Sequence, residues 1–465
     1  MISKFPKDFL WGASTSAYQF EGAYNVDGKG LSVQDFIGKH YPKDITDFKV
    51  TSDHYHRYKE DVEMMAKMGL KAYRFSIAWT RIIPDGNGEI NQKGIEFYNN
   101  LIDELIKYNI EPIVTMYHFD LPDNLNKIGG WKAKETTEGF LKFAKAIFTS
   151  FKDKVKYWIT INELNVMILS GHVINMVDDL EEWNRIKFDV LHNLNMAQAK
   201  VINLFRDIVP NGKIGPAPNI SAVYPASSKP EDQNAKFNFS MLRNWTFLDV
   251  ICRGSYNPFY LNFLKKQGYN FNPSQEDLAI LRSAKPDFIS FNYYSSSTVE
   301  HMGIDEKNTN LNDQQKGYEI PGYGKTVQNP NLLKTQFGWE IDPIGLKNTL
   351  KELYDRYNLP LLISENGIGA RDVLTSDFKI HDDYRIEYYN QHISEMAKAI
   401  DDGVEMLGYC PWSAVDLVST HEGISKRYGF IYVNRDEFDL KDLKRYPKDS
   451  FFWYKTLIEN NGSDF

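Results

Sequence analysis

The chain is expected to fold as an α/β protein, a single (β/α)8 TIM barrel. Two observations carry that expectation. Eight short apolar, strand-like runs recur along the 465 residues, and amphipathic helical stretches lie between them. Strands alternating with helices imply βαβ units and a parallel sheet, and eight such strands in one chain suggest closure into a barrel. No linker-like stretch divides them, so residues 1–465 are expected to form one domain.

The strand-like runs are FLWGAS (9–14), AYRFSI (72–77), PIVTMYH (112–118), YWITIN (157–162), KIGPAP (213–218), DFISFNYY (287–294), PLLISE (360–365) and MLGYCPWSAVD (406–416). Among the helical stretches, YKEDVEMMAKMG (58–69) places Val62, Met65 and Met68 on one face with charges opposite. Residues 94–110 and 140–153 show the same period. The stretch 300–335 is polar and weakly periodic. It is expected to be a mobile surface excursion rather than a substrate lid.

Composition narrows the function. With 62 acidic and 54 basic side chains the net charge is −8, which argues against nucleic acid as a partner. No apolar run is long enough to span a membrane. The N-terminal MISKFPKDFLWGAS is broken by charge and Pro6 before a signal-like stretch forms. Cys252 and Cys410 make neither a disulfide framework nor a metal-ligand spacing. Both read as core thiols, which fits a reducing compartment, and the expected location is the cytoplasm. The HYH of residues 54–56 splits its imidazoles across a helix, and His118 stands alone after its strand, so no metal site is expected.

In a barrel of this kind chemistry sits at the C-terminal ends of strands. The polar residues there are Arg74, His118, Asn162, Glu163, Asn292, Tyr294, Glu365 and Trp412. ITIN runs directly into Glu163 and LLIS into Glu365. One such glutamate reads most simply as a structural ion pair or a helix cap. Two at one barrel mouth are the equipment of glycoside hydrolysis, in which one protonates the leaving oxygen and the other attacks the anomeric carbon. Arg74 could hold one of them ionised, or be a core ion pair only. Tyr294 could donate to the same carboxylate, or simply pack. Asn162 can hydrogen-bond a sugar hydroxyl.

The segments FLWGASTSAYQFEGA (9–23), YRFSIAWTRIIP (73–84), TMYHFDLP (115–122), TINELN (160–165), NYYSS (292–296), SENG (364–367) and the WSAVDLVS region (412–419) resemble glycoside hydrolase family 1, in that family's order and over nearly the whole chain. The resemblance implies a (β/α)8 barrel and a retaining β-glycosidase with no cofactor. It assigns Glu365 as nucleophile and Glu163 as acid/base, with Leu164 where the family usually has proline. It makes Gln19, His118, Asn162 and Trp412 sugar-binding residues of the −1 subsite, Asn292 a further polar residue of the site, and Arg74 and Tyr294 partners of the nucleophile.

The chain departs from plain β-glucosidases at one place. Those enzymes carry a Glu-Trp pair where this chain has Ser419-Thr420. The family's 6-phospho-β-glycosidases have Ser there, then Lys and Tyr at the spacing of Lys426 and Tyr428. If SKRYGFIYV is extended, Lys426 and Tyr428 face one way and Arg427 the other, and lysine is a competent phosphate binder. On its own, KR would read as a solvated basic turn. The resemblance therefore implies a 6-phospho-β-glucosidase whose partner is a small phosphorylated disaccharide or aryl glucoside, and it leaves a homo-oligomer open. A 6-phospho-β-galactosidase or a dual-specificity enzyme is the alternative, although the galactosidases keep Trp at the position of Thr420. An inactive glycan-binding barrel is less favoured, because both glutamates are present.

Overall fold

A computed structural model describes residues 4–36, 42–171, 177, 179–306 and 319–465. The principal strands are β1 (Leu10–Ser14), β2 (Ala72–Ser76), β3 (Glu111–Tyr117), β4 (Tyr157–Asn162), β5 (Lys213–Ala217), β6 (Ile289–Asn292), β7 (Leu361–Glu365) and β8 (Met406–Tyr409). They form one sheet in the order β5-β4-β3-β2-β1-β8-β7-β6, and all neighbours are parallel. This is the expected (β/α)8 arrangement. Two strands are shorter than their sequence runs by several residues. The run 287–294 narrows to β6, and the run 406–416 stops at Tyr409, shortly before Pro411, which has no N–H to offer a ladder.

Between β5 and β6 the ring is joined differently. The even-numbered residues of β5 and just after it turn their backbone toward β6, and two of them, Pro216 in the strand and Pro218 immediately past it, cannot donate. The joint is made instead by Asp287 N–H to the Ile214 carbonyl (2.9 Å), Asn292 N–H to Pro218 (2.9 Å) and Ile220 N–H to Asn292 (2.9 Å). The Ser290 hydroxyl adds a bond to the Pro216 carbonyl (2.6 Å).

The expected helices are present and each starts earlier than its periodic core. They span His54–Met68, Gln92–Lys107 and Lys134–Phe151. Val62, Met65 and Met68 are fully buried, as their spacing required. The second helix starts where the Asn91 side chain accepts from the Lys93 N–H. Cys410 is buried and Cys252 only half-buried, so one of the two expected core thiols lies at the edge of the core, and both are free.

The stretch 300–335 differs from expectation. Residues 307–318 lie outside the described residues, and the choice between lid and loop lies with them. Its described part is a sheet rather than a mobile excursion. Glu319–Ile320 and Gly324–Val327 pair with each other, and the latter pairs with Ser297–Glu300, which in turn pairs with Val223–Pro225. Most of these residues are half-buried on both faces, so no apolar/polar alternation marked the strands.

A buried ionic net ties the C-terminal third together. Asp416 accepts from Arg427 (2.9 Å) and from Lys448 (2.7 Å). Lys448 also reaches Asp372 at 2.5 Å, and Arg385 binds Asp372 at 3.0 Å. Removing one partner of such a net strands the others in a low-dielectric interior. Asp416→Ala should therefore cost about 3–5 kcal/mol of stability, read as a fall in the guanidinium midpoint. A loss under about 1 kcal/mol, the scale of a surface pair, would show that the net relaxes around the gap.

Candidate active site

The ends of β2, β4, β6 and β7 converge on two buried carboxylates. β4 ends at Asn162, and the next residue, Glu163, takes a left-handed conformation (φ 45°) before the helix Leu164–Ser170. Its N–H donates to the Ala217 carbonyl at 2.7 Å, which fixes the turn. Leu164 occupies the first helical position. A residue there needs no intrahelical N–H bond, so leucine and the family's proline serve it equally well.

Glu365 ends β7 and is held from two sides. Arg74 Nη1 donates to Oε1 at 2.5 Å, and the Tyr294 hydroxyl donates to Oε2 at 2.7 Å. Arg74 is itself fully buried, and its other nitrogens donate to Thr115 Oγ1 (2.7 Å) and Asn162 Oδ1 (2.7 Å). Arg74 and Tyr294 thus both bear on the carboxylate. Glu163 has neither. Its Oε1 accepts from Asn292 Nδ2 (2.9 Å) and from Asn219 Nδ2 (2.7 Å).

The two carboxyls titrate as an interacting pair. Burial raises the pKa of Glu163, and the Glu365 charge raises it further, while the two amides and Arg243 pull it down; the outcome is about 7. Burial also raises Glu365, against the charge of Arg74 and the Tyr294 hydroxyl. Only Glu365 has a cation in contact, so it is the group whose anion the site favours.

The rest of the pocket surrounds this pair. Asn162 turns its oxygen to Arg74, so its Nδ2 faces His118 Nε2 at 3.2 Å. Burial and the Arg74 charge hold His118 well below its usual pKa, and its ring is neutral near pH 7. Its Nδ1 is buried and has no partner. Trp412 lies parallel to the His118 ring at 5.9 Å. Gln19 Nε2 donates to the Val418 carbonyl at 3.0 Å, which seats it beside Ser419.

Ser419, Lys426 and Tyr428 are all buried, so the solvated-turn reading of this basic stretch does not hold. Arg427 does face away from its neighbours, into Asp416 and the Val433 and Arg435 carbonyls. Lys426 and Tyr428 lie together on the other side against Gly369, four residues past Glu365, where an added Cβ would come within 2.6 Å of the lysine stem. The Lys426 ammonium stands 3.7 Å from the centre of the Trp339 ring and 4.7 Å from that of Phe337. Trp339 in turn touches the ring of Tyr294 edge-on at 5.5 Å. The turn between Ser419 and Lys426 depends on Gly423 (φ 62°).

Comparison with known proteins gives the family. The model of glycosyl hydrolase family 1 matches residues 1–463. The chain belongs to that family. It is 44% identical to an aryl-phospho-beta-D-glucosidase of Bacillus subtilis, with 98% of each chain covered. It is 43% identical to a 6-phospho-beta-glucosidase of Clostridium longisporum, again over 98% of both. Among solved structures, a family 1 β-glucosidase of Thermotoga maritima superposes with a TM-score of 0.88 at 38% identity, covering 99% of each chain. Among the described residues of this family 1 glycosidase, no group of three His, Cys, Asp or Glu side chains could hold a metal. No helix is long and apolar enough to cross a membrane.

Four residues of the site were absent from the sequence reading. Asn219 follows the run KIGPAP by one position, so the strand-end rule extended by a residue would have found it. Arg243 lies on a helical segment with no signal of its own. Trp339 and Phe337 sit just past the polar stretch 300–335.

The raised pKa of Glu163 also sets a stability trend. The folded enzyme holds this proton to about pH 7, whereas the unfolded chain releases it near 4.5. The stabilising contribution is therefore complete below about 4.5 and is lost as pH rises toward 7. Glu163→Gln, which mimics the protonated acid, should be more stable than wild type at pH 8, by no more than about 3 kcal/mol, and should match it at pH 4. Denaturant midpoints at the two pH values test this; an equal difference at both would show that the carboxyl does not titrate in this range.

Proposed function

We propose that this family 1 glycosidase is a retaining 6-phospho-β-glucosidase, with Glu365 as nucleophile and Glu163 as acid/base and residues 1–465 acting as one catalytic domain. Ser419, in place of the acidic residue of plain β-glucosidases, together with the buried Lys426 and Tyr428 on one side of their segment, carries the phosphate reading. The names of the two curated relatives support it. A carboxylate at position 419 would repel a sugar phosphate, whereas a hydroxyl, an ammonium and a phenol can donate to it.

The reaction proceeds in two displacements. Glu163 protonates the glycosidic oxygen while the Glu365 carboxylate attacks the anomeric carbon, so the C–O bond to the aglycone breaks as the bond to Glu365 forms. Glu163, now ionised, takes a proton from water, which attacks the same carbon and releases Glu365. Arg74 and Tyr294 hold the nucleophile ionised and aimed. Gln19, His118, Asn162, Asn292 and Trp412 bind the sugar, and the unpartnered His118 Nδ1 has a proton to offer a hydroxyl, because Asn162 occupies Nε2 as its donor. The two carboxyls supply acid, base and nucleophile, so the chemistry calls for no cofactor. Thr420, held by the Tyr18 hydroxyl at 3.0 Å rather than replaced by Trp, supports gluco over galacto preference. A phosphorylated sugar does not cross membranes unaided, which places the work in the cytoplasm.

Four chromogenic substrates, gluco and galacto with and without the 6-phosphate, test the reading. Lys426→Ala should cost about 10- to 150-fold in kcat/KM on the 6-phosphoglucoside, the loss of one charge-assisted bond, and leave the plain glucoside nearly unchanged. Wild-type enzyme that hydrolyses plain glucosides as well as their 6-phosphates would remove the phosphate site. The roles of the two glutamates have their own check. Glu163→Gln should retain activity on aryl substrates with good leaving groups, which need little protonation, and Glu365→Gln should lose it on all. Equal losses across leaving groups in Glu163→Gln would refute the acid/base role.

A further inference from the structure

We infer that Arg243, through Asn219, decides which oxygen of Glu163 carries the catalytic proton. The inference rests on the acid/base role proposed above.

Arg243 lies in a one-turn π-helical segment, Met241–Trp245, inserted between two α-helices. Such widened turns recur at functional sites. The guanidinium is buried and grips both carbonyl oxygens of a single asparagine. Nη1 donates to Asn219 O at 2.7 Å and Nη2 to Asn219 Oδ1 at 2.6 Å. A guanidinium can only donate, so the amide of Asn219 has one orientation: oxygen to Arg243, nitrogen to Glu163 Oε1. The Asn219 backbone is pinned as well, its N–H donating to Asn165 Oδ1 at 3.0 Å and its carbonyl accepting from Asn165 Nδ2 at 2.6 Å.

The second donor to the same oxygen is oriented by the same logic from the opposite side. Arg74 fixes Asn162 Oδ1 as an oxygen, and Asn292 Nδ2 faces it at 3.1 Å, so that atom of Asn292 must be the N–H group. It therefore also donates to Glu163 Oε1. Oε1 receives two N–H bonds, and a proton on it would point into donors. The acid is protonated on Oε2, and the glycosidic oxygen must approach from that side. The same oxygen takes the proton from water in the second displacement. Asn219 and Arg243 are positioning residues here. They make no contact with the sugar in this account and act through the geometry of Glu163.

The test uses full-length enzyme and aryl 6-phospho-β-glucosides with a good leaving group (2,4-dinitrophenol) and a poor one (phenol). Rates are normalised to active sites counted by the burst from a 2-deoxy-2-fluoro analogue. Asn219→Ala removes one donor and leaves Arg243 in place. It should lose about tenfold more kcat/KM on the phenyl than on the dinitrophenyl substrate, a fraction of what a general acid contributes. Its alkaline limb should move to higher pH, because a donated N–H favours the ionised carboxyl. Arg243→Met should show the same two signatures. The normalisation removes any loss due to misfolded protein. Equal losses on the two substrates with an unmoved alkaline limb in Asn219→Ala would overturn the inference. Glu163→Gln is run alongside. If it shows the leaving-group dependence and Asn219→Ala does not, only this inference falls. If Glu163→Gln lacks the dependence, the acid/base reading falls and takes the inference with it.

Discussion

The buried pair of Arg74 and Glu365 is the constraint from which the rest of the site follows. Two carboxyls placed in one dry pocket raise each other's proton affinity, and symmetry would leave them sharing a proton. Arg74 breaks the symmetry because β2 delivers a guanidinium to one of them only. An enclosed arginine must also satisfy its remaining donors. Those donors go to Thr115 and Asn162, so the same side chain that ionises Glu365 orients the amide that faces His118. One buried cation thus sets charge in one direction and hydrogen-bond polarity in another.

What the sequence revealed follows from the regularity of barrel strands. An apolar run that stops at a carboxylate is visible in any linear reading, and Glu163 and Glu365 occupy such ends, whereas Arg74, expected at the end of its strand, sits in the middle of β2 and Tyr294 lies two residues past β6. The alternation of side chains at 426–428 was legible from an extended reading, although the segment forms only the isolated Ala370–Arg427 bridge and Arg427 proved to be buried in an ion pair rather than solvated. Asn219 was hidden because its strand appeared to finish at Pro218. Arg243 reaches the site from a helical turn, and no periodicity tells a helix residue that it faces a strand's end. The strands within 319–327 escaped detection because most of their residues are half-buried, and the lysine, threonine and glutamate they carry gave no alternation.

The aromatic surroundings of Lys426 show how the fold accommodates a cation before any anion arrives. An ammonium enclosed at 3% exposure is costly unless something compensates it. The faces of Trp339 and Phe337 contribute through their ring quadrupoles.

The joint between β5 and β6 has a mechanical consequence. With prolines at 216 and 218, it lacks two amide donors that a regular ladder would use. Local fluctuations of a closed sheet begin where the fewest bonds must break. Asn219 extends one lip of this joint and Asn292 ends the other, and both hold the same oxygen of Glu163. Each breathing event at the joint would therefore loosen both grips at once and admit water to the carboxyl. The proline-bearing joint stands beside the Glu163 carboxyl, so amide exchange at Ile220 and Asn292 gauges how often that carboxyl meets solvent.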